Sequence, residues 1–299
     1  MNFGGAPFAR ASGAALLLVL WLLVLLTGLV SVFALTARTE ALQGRFLARS
    51  SAARLAAEAG VEVAALHLQG EDQTLRWTPD GRDQSFDFAG YRVRVKVLDE
   101  SAKVDLNVAG PGLLSGLMIS VGLDQNRARQ LTGAIMDWRD PDDLLNAEGG
   151  AEDPEYAAQD LPYGAKDRPF ETLSELRLVL GMDEASYRKL LPYLTVHTGQ
   201  ALPSVSFAAE PVLLAMGLPA LQVTEILAQR APAASGPAGL VPGQVDALAE
   251  QGTGTYSVSS QATRPDGTQA QIVAVIRMGG GGGFGQLYLP LAWRVGESD

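Results

Sequence analysis

Cysteine is absent from all 299 residues, so the chain has no disulfide framework, no thiolate metal site and no thiol nucleophile. Histidine is almost as scarce. His67 and His197 stand alone, with no serine or carboxylate motif of hydrolase type beside them, and no catalytic constellation can be assembled. Basic residues are in deficit, 23 against 33 acids, for a net charge of -10. Affinity for nucleic acid comes largely from counterions released by clustered Lys and Arg, so DNA and RNA are poor partners. The run Gly279 to Gly283, followed by Phe284-Gly285, lacks the Gly-Lys-Ser/Thr ending of a phosphate loop and reads as a hairpin connection. With 47% hydrophobic and 19% charged residues, the composition excludes disorder and fibrous repeats.

What is present begins with an apolar run. Ala14 to Leu35 carries no charge over 22 residues, about 33 Å of helix and long enough to span a bilayer. Only the amino terminus and Arg10 precede it, so the positive-inside rule places residues 1–13 in the cytoplasm and the rest across the membrane. A cleavable secretory signal is the competing reading, but its apolar core is usually about 7 to 15 residues. No proline occurs between Phe8 and Thr78. Beyond the span, Arg54, Glu58 and Glu62 recur every four residues beside an apolar stripe of Leu55, Ala59, Val63 and Leu66. One helix of more than 50 residues is the simplest reading; two helices broken near Gly44 or Gly60 are the alternative.

Thr74 to Trp77 and Tyr91 to Leu98 alternate polar and apolar residues around Pro79-Asp80-Gly81 and Gly90, which predicts antiparallel strands. Tyr256 to Thr263, Gln269 to Arg277 and Gln286 to Arg294 predict more, joined by Pro265-Asp266-Gly267 and the glycine run. Between the two groups the pattern is helical from Val104 to about Gln251, so a helical block is inserted in a sheet. Inside it Leu106 to Leu114 aligns weakly with Val205 to Leu213, each copy leading through a glycine turn to a helix ending in Arg139 or Arg230. Three joints share a Gly-apolar-X pattern: Gly122-Leu123-Asp124, Gly181-Met182-Asp183 and Gly217-Leu218-Pro219. Glycine suits the left-handed position after a helix, and Asp124 or Asp183 suits the cap of the next. This is the architecture of small helix-hairpin-helix domains.

DNA-binding hairpins of that kind carry Gly-apolar-Gly. Here the second glycine is Asp124, Asp183 or Pro219, two acids that repel phosphate and a residue with no amide to donate. Between Asp137 and Asp160 lie nine acids (Asp137, Asp140, Asp142, Asp143, Glu148, Glu152, Asp153, Glu155, Asp160) against the single base Arg139. Asp140-Pro141-Asp142-Asp143 with Gly149-Gly150-Ala151-Glu152-Asp153 offers the oxygen-rich loop that calcium takes, without the EF-hand spacing. From these residues alone a merely solvated acidic loop is the favoured reading and a metal site the alternative.

Asp137-Trp138-Arg139-Asp140-Pro141-Asp142, Gly150-Ala151-Glu152-Asp153, Pro169-Phe170-Glu171-Thr172-Leu173-Ser174-Glu175-Leu176-Arg177 and Val179-Leu180-Gly181-Met182 resemble the K-type minor pseudopilins of bacterial type II secretion, the general secretion pathway protein K family. The resemblance runs from Gly13 to about Val295. It implies an α+β fold: a long pilin-like N-terminal helix packed on an antiparallel sheet, with an inserted all-α (helix-hairpin-helix/SAM-like) domain. The expected layout is a prepilin-type leader over 1–13, a transmembrane helix over 14–35, the pilin-like helix and first strands over 36–103, the insert over 104–252 and closing strands over 253–299. A prepilin peptidase would cut after Gly13 and leave Ala14 as a methylated N-terminus. One or two Ca2+ ions are implied in the insert, with Asp140, Asp142, Asp143, Glu152 and Asp153 as expected side-chain ligands. Val108, where threonine is common, and Ser206-Phe207, in place of Asn-Thr, depart from the family pattern and bear on the helix caps.

The expected protein is a non-enzymatic subunit, single-pass in the cell inner membrane with its bulk in the periplasm, supporting export of folded proteins with minor pseudopilins of the I, J and H types. Pilin-like subunits usually carry glutamate at the fifth mature position, paired with the terminal amine of the subunit assembled before. Here that position is Leu18. An unpaired amine in an apolar bundle costs several kcal/mol, which suits a first subunit with no predecessor. An insert of nearly 150 residues should clash with subunits stacked above, so a tip position is expected, with Leu18, Leu55, Ala59, Val63 and Leu66 facing partners. The alternatives are a membrane-anchored DNA receptor of the competence type and a membrane-tethered enzyme.

Overall fold

The structure, a computed structural model, describes residues 12–69, 75–230, 254–279 and 287–296. Residues 1–11 of the expected leader, residues 231–252 of the expected insert and the glycines 280–283 lie outside the described residues. A single helix α1 (Ser12–Gln69) runs 58 residues without a break at Gly44 or Gly60. Its stretch from Ala15 is long and apolar enough to cross a membrane. The polar side chains there satisfy themselves, Thr27 donating to the Leu23 carbonyl and Ser31 to that of Thr27, each at 2.7 Å.

Beyond the helix come β1 (Asp80–Phe88) and β2 (Tyr91–Asp99), then β3 (Val104–Asp105), α2 (Pro111–Ser120), α3 (Gln125–Arg139), α4 (Asp153–Ala157), α5 (Glu184–Leu190), β4 (Leu194–Thr195), α6 (Glu210–Ala215) and α7 (Ala220–Arg230). The chain closes with β5 (Thr255–Thr263), β6 (Gln269–Met278) and β7 (Tyr288–Gly296). The antiparallel sheet runs β1-β2-β5-β6-β7. The helical block leaves at Asp99 and returns at Tyr256, which are cross-strand neighbours in one register. A large insertion at such a point leaves every ladder bond of β2 and β5 in place.

The sheet packs on α1 through period-2 alternation. Tyr91, Val93, Val95 and Val97 of β2, with Ile272, Ala274 and Ile276 of β6, meet Ala53, Ala56, Ala57, Val61, Ala64, Ala65 and Leu68. Small residues on the helix let its backbone lie close to the strands. A separate core fills the insert around Leu114, Leu131, Trp138, Tyr156, Leu176 and Leu213.

Two expectations are corrected. Thr74 itself lies outside the described residues, and Leu75 to Pro79 form no strand. Instead Trp77 stacks on His67 with ring centroids 4.7 Å apart, and its amide donates to the His67 carbonyl. The first strand is β1, which starts inside Pro79-Asp80-Gly81, with Gly81 at φ 84 and a register shift between Asp80 and Asp83 absorbing the would-be turn. Lying at an edge, β1 has one neighbour and tolerates the polar sequence Asp-Gly-Arg-Asp-Gln-Ser that hid it. Nor is the insert wholly helical, because β3 and β4 pair in parallel, Val104 with Leu194 and Asp105 with Thr195.

That small sheet belongs to the joint between insert and main sheet. Glu100, 1% exposed, lies 2.5 Å from the Lys103 ammonium and accepts from the hydroxyls of Thr195 and Ser257. Burial pushes its carboxyl up, but the Lys103 charge and these hydrogen bonds outweigh it and hold the pKa below the usual value.

Inside the insert the weak repeat is a structural one. Arg139, at the end of α3, donates to the carbonyls of Leu106 and Ala109, and Arg230, at the end of α7, donates to those of Val205 and Ala208. These are the aligned positions of the two copies. Gly122 and Gly217 take φ 89 and φ 83, and the next amides, of Leu123 and Leu218, reach back to Met118 and Leu213. The first helices of the two hairpins touch closely, since a Cβ on Gly116 would stand 2.9 Å from the Ala215 carbonyl. Asp124 caps α3 and Asp183 caps α5 as expected. The joint at Gly181 follows a 3-10 turn over Leu173–Leu178 rather than an α-helix.

Candidate functional site

The acids that follow α3 converge. Asp137, on the last turn of α3 and 1% exposed, accepts at Oδ2 from the amides of Asn146 (3.2 Å) and Ala151 (2.8 Å), which folds the acidic loop back against the helix. A Cβ on Gly150 would overlap that oxygen, so glycine is what allows the approach. Glu152 caps α4, exchanging bonds with Glu155, and is 4% exposed. Asn107 clamps the following loop through both the amide and the carbonyl of Phe170, at 2.7 and 2.9 Å.

The electrostatics report how crowded this centre is. Burial, then the charges of Asp137, Asp167, Asp140 and Asp143, push Glu152 up to about 7. Asp140 is raised by burial and by Asp142 and Asp137; Asp167 by burial and by Asp143 and Asp153. Burial also raises Asp137, against the pull of its two amide bonds. Four oxygens here are buried without a hydrogen-bond partner: Asp137 Oδ1, Asp140 Oδ1, Glu152 Oε1 and Asp167 Oδ1. Orphaned acceptors in this number are costly and oxygen-only, the donor chemistry of a hard divalent cation. Among the described residues no three acidic or histidine side chains close a metal site by themselves, so carbonyls and water would have to complete any coordination.

All five expected ligands, Asp140, Asp142, Asp143, Glu152 and Asp153, lie within electrostatic reach of this centre. Asp142, Asp143 and Asp153 are exposed at its rim, and Asp142 also accepts from the Leu144 amide. Sequence reasoning did not select Asp137 and Asp167. Asp137 precedes Asp140 by three residues, one helical turn, which was a readable signal. Asp167 sits between Lys166 and Arg168 like a solvated charge, and only its left-handed backbone (φ 53) and buried oxygen mark it.

A second candidate surface runs along α1. The sheet covers Ala53, Ala56, Gly60 and Ala64, and the sequence-predicted stripe faces elsewhere: Leu55 is 62% and Leu66 59% exposed, with Ala59 and Val63 half-buried. Leu18 is exposed within the apolar run. Gly13 and Ala14 lie in the first turn of α1.

Comparison with known proteins places this geometry. Residues 95–199, spanning the end of β2, the hairpin α2–α3, the acidic centre and β4, match the family model for the type II secretion system (T2SS), protein K. This segment is similar to protein K. The type II secretion system protein K of Klebsiella pneumoniae is 41% identical over 106 residues, 35% of this chain and 31% of that protein. Its counterpart from Pseudomonas aeruginosa is 31% identical over 140 residues, 42% of this chain and 40% of that protein. The matched stretches thus span well under half the length of these relatives. The crystal structure of the GspK-GspI-GspJ complex from the enterotoxigenic Escherichia coli type 2 secretion system contains a chain with the same fold. It matches with TM-score 0.60 and 20% identity, over 87% of this chain and all of that one. The α+β architecture around the matched segment is therefore a shared one, long N-terminal helix and antiparallel sheet included.

Proposed function

We propose that the chain is a minor pseudopilin of a type II secretion system, anchored by α1 in the cell inner membrane, with sheet and insert in the periplasm. The observation that carries this reading is the match of residues 95–199 to protein K, in a block set between β2 and β5 of a sheet borne on a 58-residue helix. In this reading a prepilin peptidase cuts after Gly13, and Ala14 becomes the methylated first residue. The intact mass of chain purified from membranes should then lack the first thirteen residues and carry one methyl group. A chain that begins after Ala34 or Ala37 would identify an ordinary secretory signal instead.

The subunit sits at the tip of the periplasmic pseudopilus with minor pseudopilins of the I, J and H types and supports export of folded proteins. Leu18, in place of the glutamate expected there, and the bulk of the insert support that position. The flank formed by exposed Leu55 and Leu66 with half-buried Ala59 and Val63 is the surface offered to those partners. The native chain has no cysteine, so single cysteines at these four positions make clean cross-linking probes. They should trap minor pseudopilins; labelling of the major pseudopilin along the whole fibre would refute the tip position.

Calcium is proposed at the acidic centre, with Asp137 and Asp167 added to Asp140, Asp142, Asp143, Glu152 and Asp153 as candidate ligands. Bound there, the cation would neutralise carboxylates that otherwise repel one another and hold the acidic loop to α3.

A further inference from the structure

Charge is divided unevenly over the main sheet. In a chain with 33 acids and 23 bases, β5, β6 and β7 contain no Asp or Glu, and β2 has only Asp99, at its end. Alternation sends Val93, Val95, Val258 and Ala262 to α1, and Arg92, Arg94, Lys96, Ser259, Gln261 and Thr263 to the opposite face. The acids that answer these cations belong to the edge strand β1. Register puts Asp87 across from Arg92, Ser85 across from Arg94 and Asp83 across from Lys96. Asp87 reaches Arg92 at 2.6 Å, and Asp83 lies 3.7 Å from Lys96. Arg94, exposed between Ser85 and Gln261, is in no ion pair among the described residues. The ladder thus has three cations, two acids and a gap.

The gap opens on a pocket of about 510 Å³ whose lining includes Arg92, Arg94, Gln261, Thr263 and Arg264. Arg264 is held at its rim, 5.7 Å over the Tyr91 ring and 3.8 Å from Asp266. Asp87, the one acid in the lining, is already engaged by Arg92. The spacing of the cations defines what fits. Arg92, Arg94 and Lys96 repeat about every 6.8 Å along β2, which is also the repeat of alternate side chains in an extended peptide. A single phosphate would need guanidiniums that converge on it, and Asp87 claims Arg92. Single-stranded nucleic acid stacks its bases on aromatic platforms. Tyr91 and Tyr256, the aromatic residues of β2, β5 and β6, are both buried against α1.

We infer that this outer face of β2 and β5 binds an extended acidic segment of a partner protein, with Asp or Glu at alternate positions. One carboxylate gives Arg94 the acid that its ladder lacks, and the flanking ones reach towards Arg264 and Lys96. The α1 flank of Leu55 and Leu66 lies on the other side of the sheet, so the inference stands apart from the assembly reading. The test titrates a fluorescein-labelled peptide, Ser-Glu-Ser-Glu-Ser-Glu-Ser, with the full chain in detergent and follows fluorescence anisotropy. At low salt this peptide should bind at least about tenfold more tightly than its Gln counterpart, and the difference should fade as salt is raised. Arg94→Gln should weaken binding about three- to fivefold, as expected for one exposed ion pair. Ser85→Asp fills the gap from within, so it should weaken binding at least as much while every arginine stays in place. Arg38→Gln, on α1, should change nothing. Absence of binding, equal binding of the Glu and Gln peptides, or native affinity in both the Arg94→Gln and Ser85→Asp proteins would overturn the inference. Displacement of the peptide by an equal concentration of inorganic phosphate would overturn it too, by making the pocket a small-anion site. Tighter binding of a single-stranded oligonucleotide of the same charge would assign the face to nucleic acid instead.

Discussion

At pH 8, chelated protein should melt roughly 5–10 °C below calcium-loaded protein, and the gap should narrow sharply at pH 5. Saturating a single site at about a hundred times its dissociation constant stabilises the folded state by about 2.7 kcal/mol, and a domain of this size shifts about 2–4 °C per kcal/mol. The pH dependence follows from the direction of the carboxylate shifts. Glu152 is raised to about 7, and Asp137, Asp140 and Asp167 are raised as well. Without metal the folded protein keeps protons that the unfolded chain has released. The stabilisation is complete below the ordinary carboxylate range and is lost as pH climbs through about 7, where Glu152 gives up its proton. Calcium reverses the demand, because the ionised oxygens become its ligands, and protons then compete with it at low pH. Asp137→Asn should abolish the calcium-dependent shift. Melting followed by circular dichroism at both pH values decides the matter: identical curves with calcium and with chelator at pH 8 would remove the metal from this site.

Gly60→Leu should uncouple α1 from the sheet. Even the first side-chain carbon at this position would overlap Ser260 Oγ and stand 2.9 Å from Val93 Cγ1 and 3.0 Å from Ser260 Cβ. Val93 belongs to β2 and Ser260 to β5, both central strands, so neither can retreat without dragging its ladder. Gly60→Ala should therefore cost about 1–3 kcal/mol despite the better helix propensity of alanine, and leucine more. Gly44→Ala is the control. Nothing lies within 4 Å of a Cβ there, so that variant should gain about 0.5–1 kcal/mol. Adding Ser260→Gly to Gly60→Ala should return part of the loss, with a coupling of about 0.5–3 kcal/mol. Equal stability of the Gly44→Ala and Gly60→Ala proteins would show that α1 does not press on the sheet at this point.

Much of the architecture was legible because it depends on neighbours a few residues apart. The charge-free run, the missing prolines and the four-residue recurrence of Arg54, Glu58 and Glu62 predict α1, and the alternation in Tyr91 to Leu98 and Tyr256 to Thr263 predicts β2 and β5. The left-handed glycines at 122, 181 and 217, with Asp124 and Asp183 as caps, follow from steric and hydrogen-bonding rules that act within one turn. Even the internal repeat, faint as residues, is exact in its effect: Arg139 and Arg230 close on equivalent carbonyls. The strand β1 was not legible, since an edge strand has no second neighbour to demand an apolar face.

By itself, then, the sequence determined the long helix, the inserted block, the turn chemistry and the stretch in which acids accumulate, all of them consequences of local conformational preference and of hydrophobic period. Tertiary structure decided which acids share a centre and which face of α1 the sheet claims. Asp137 and Asp167 both press on Glu152 because Asn107 holds the Phe170 loop and the amides of Asn146 and Ala151 fold the acidic loop onto α3. The sheet chose the alanine and glycine face over Leu55 and Leu66 because strands can approach a helix closely only where its side chains are small, a condition set by the partner surface and by no residue of α1 alone.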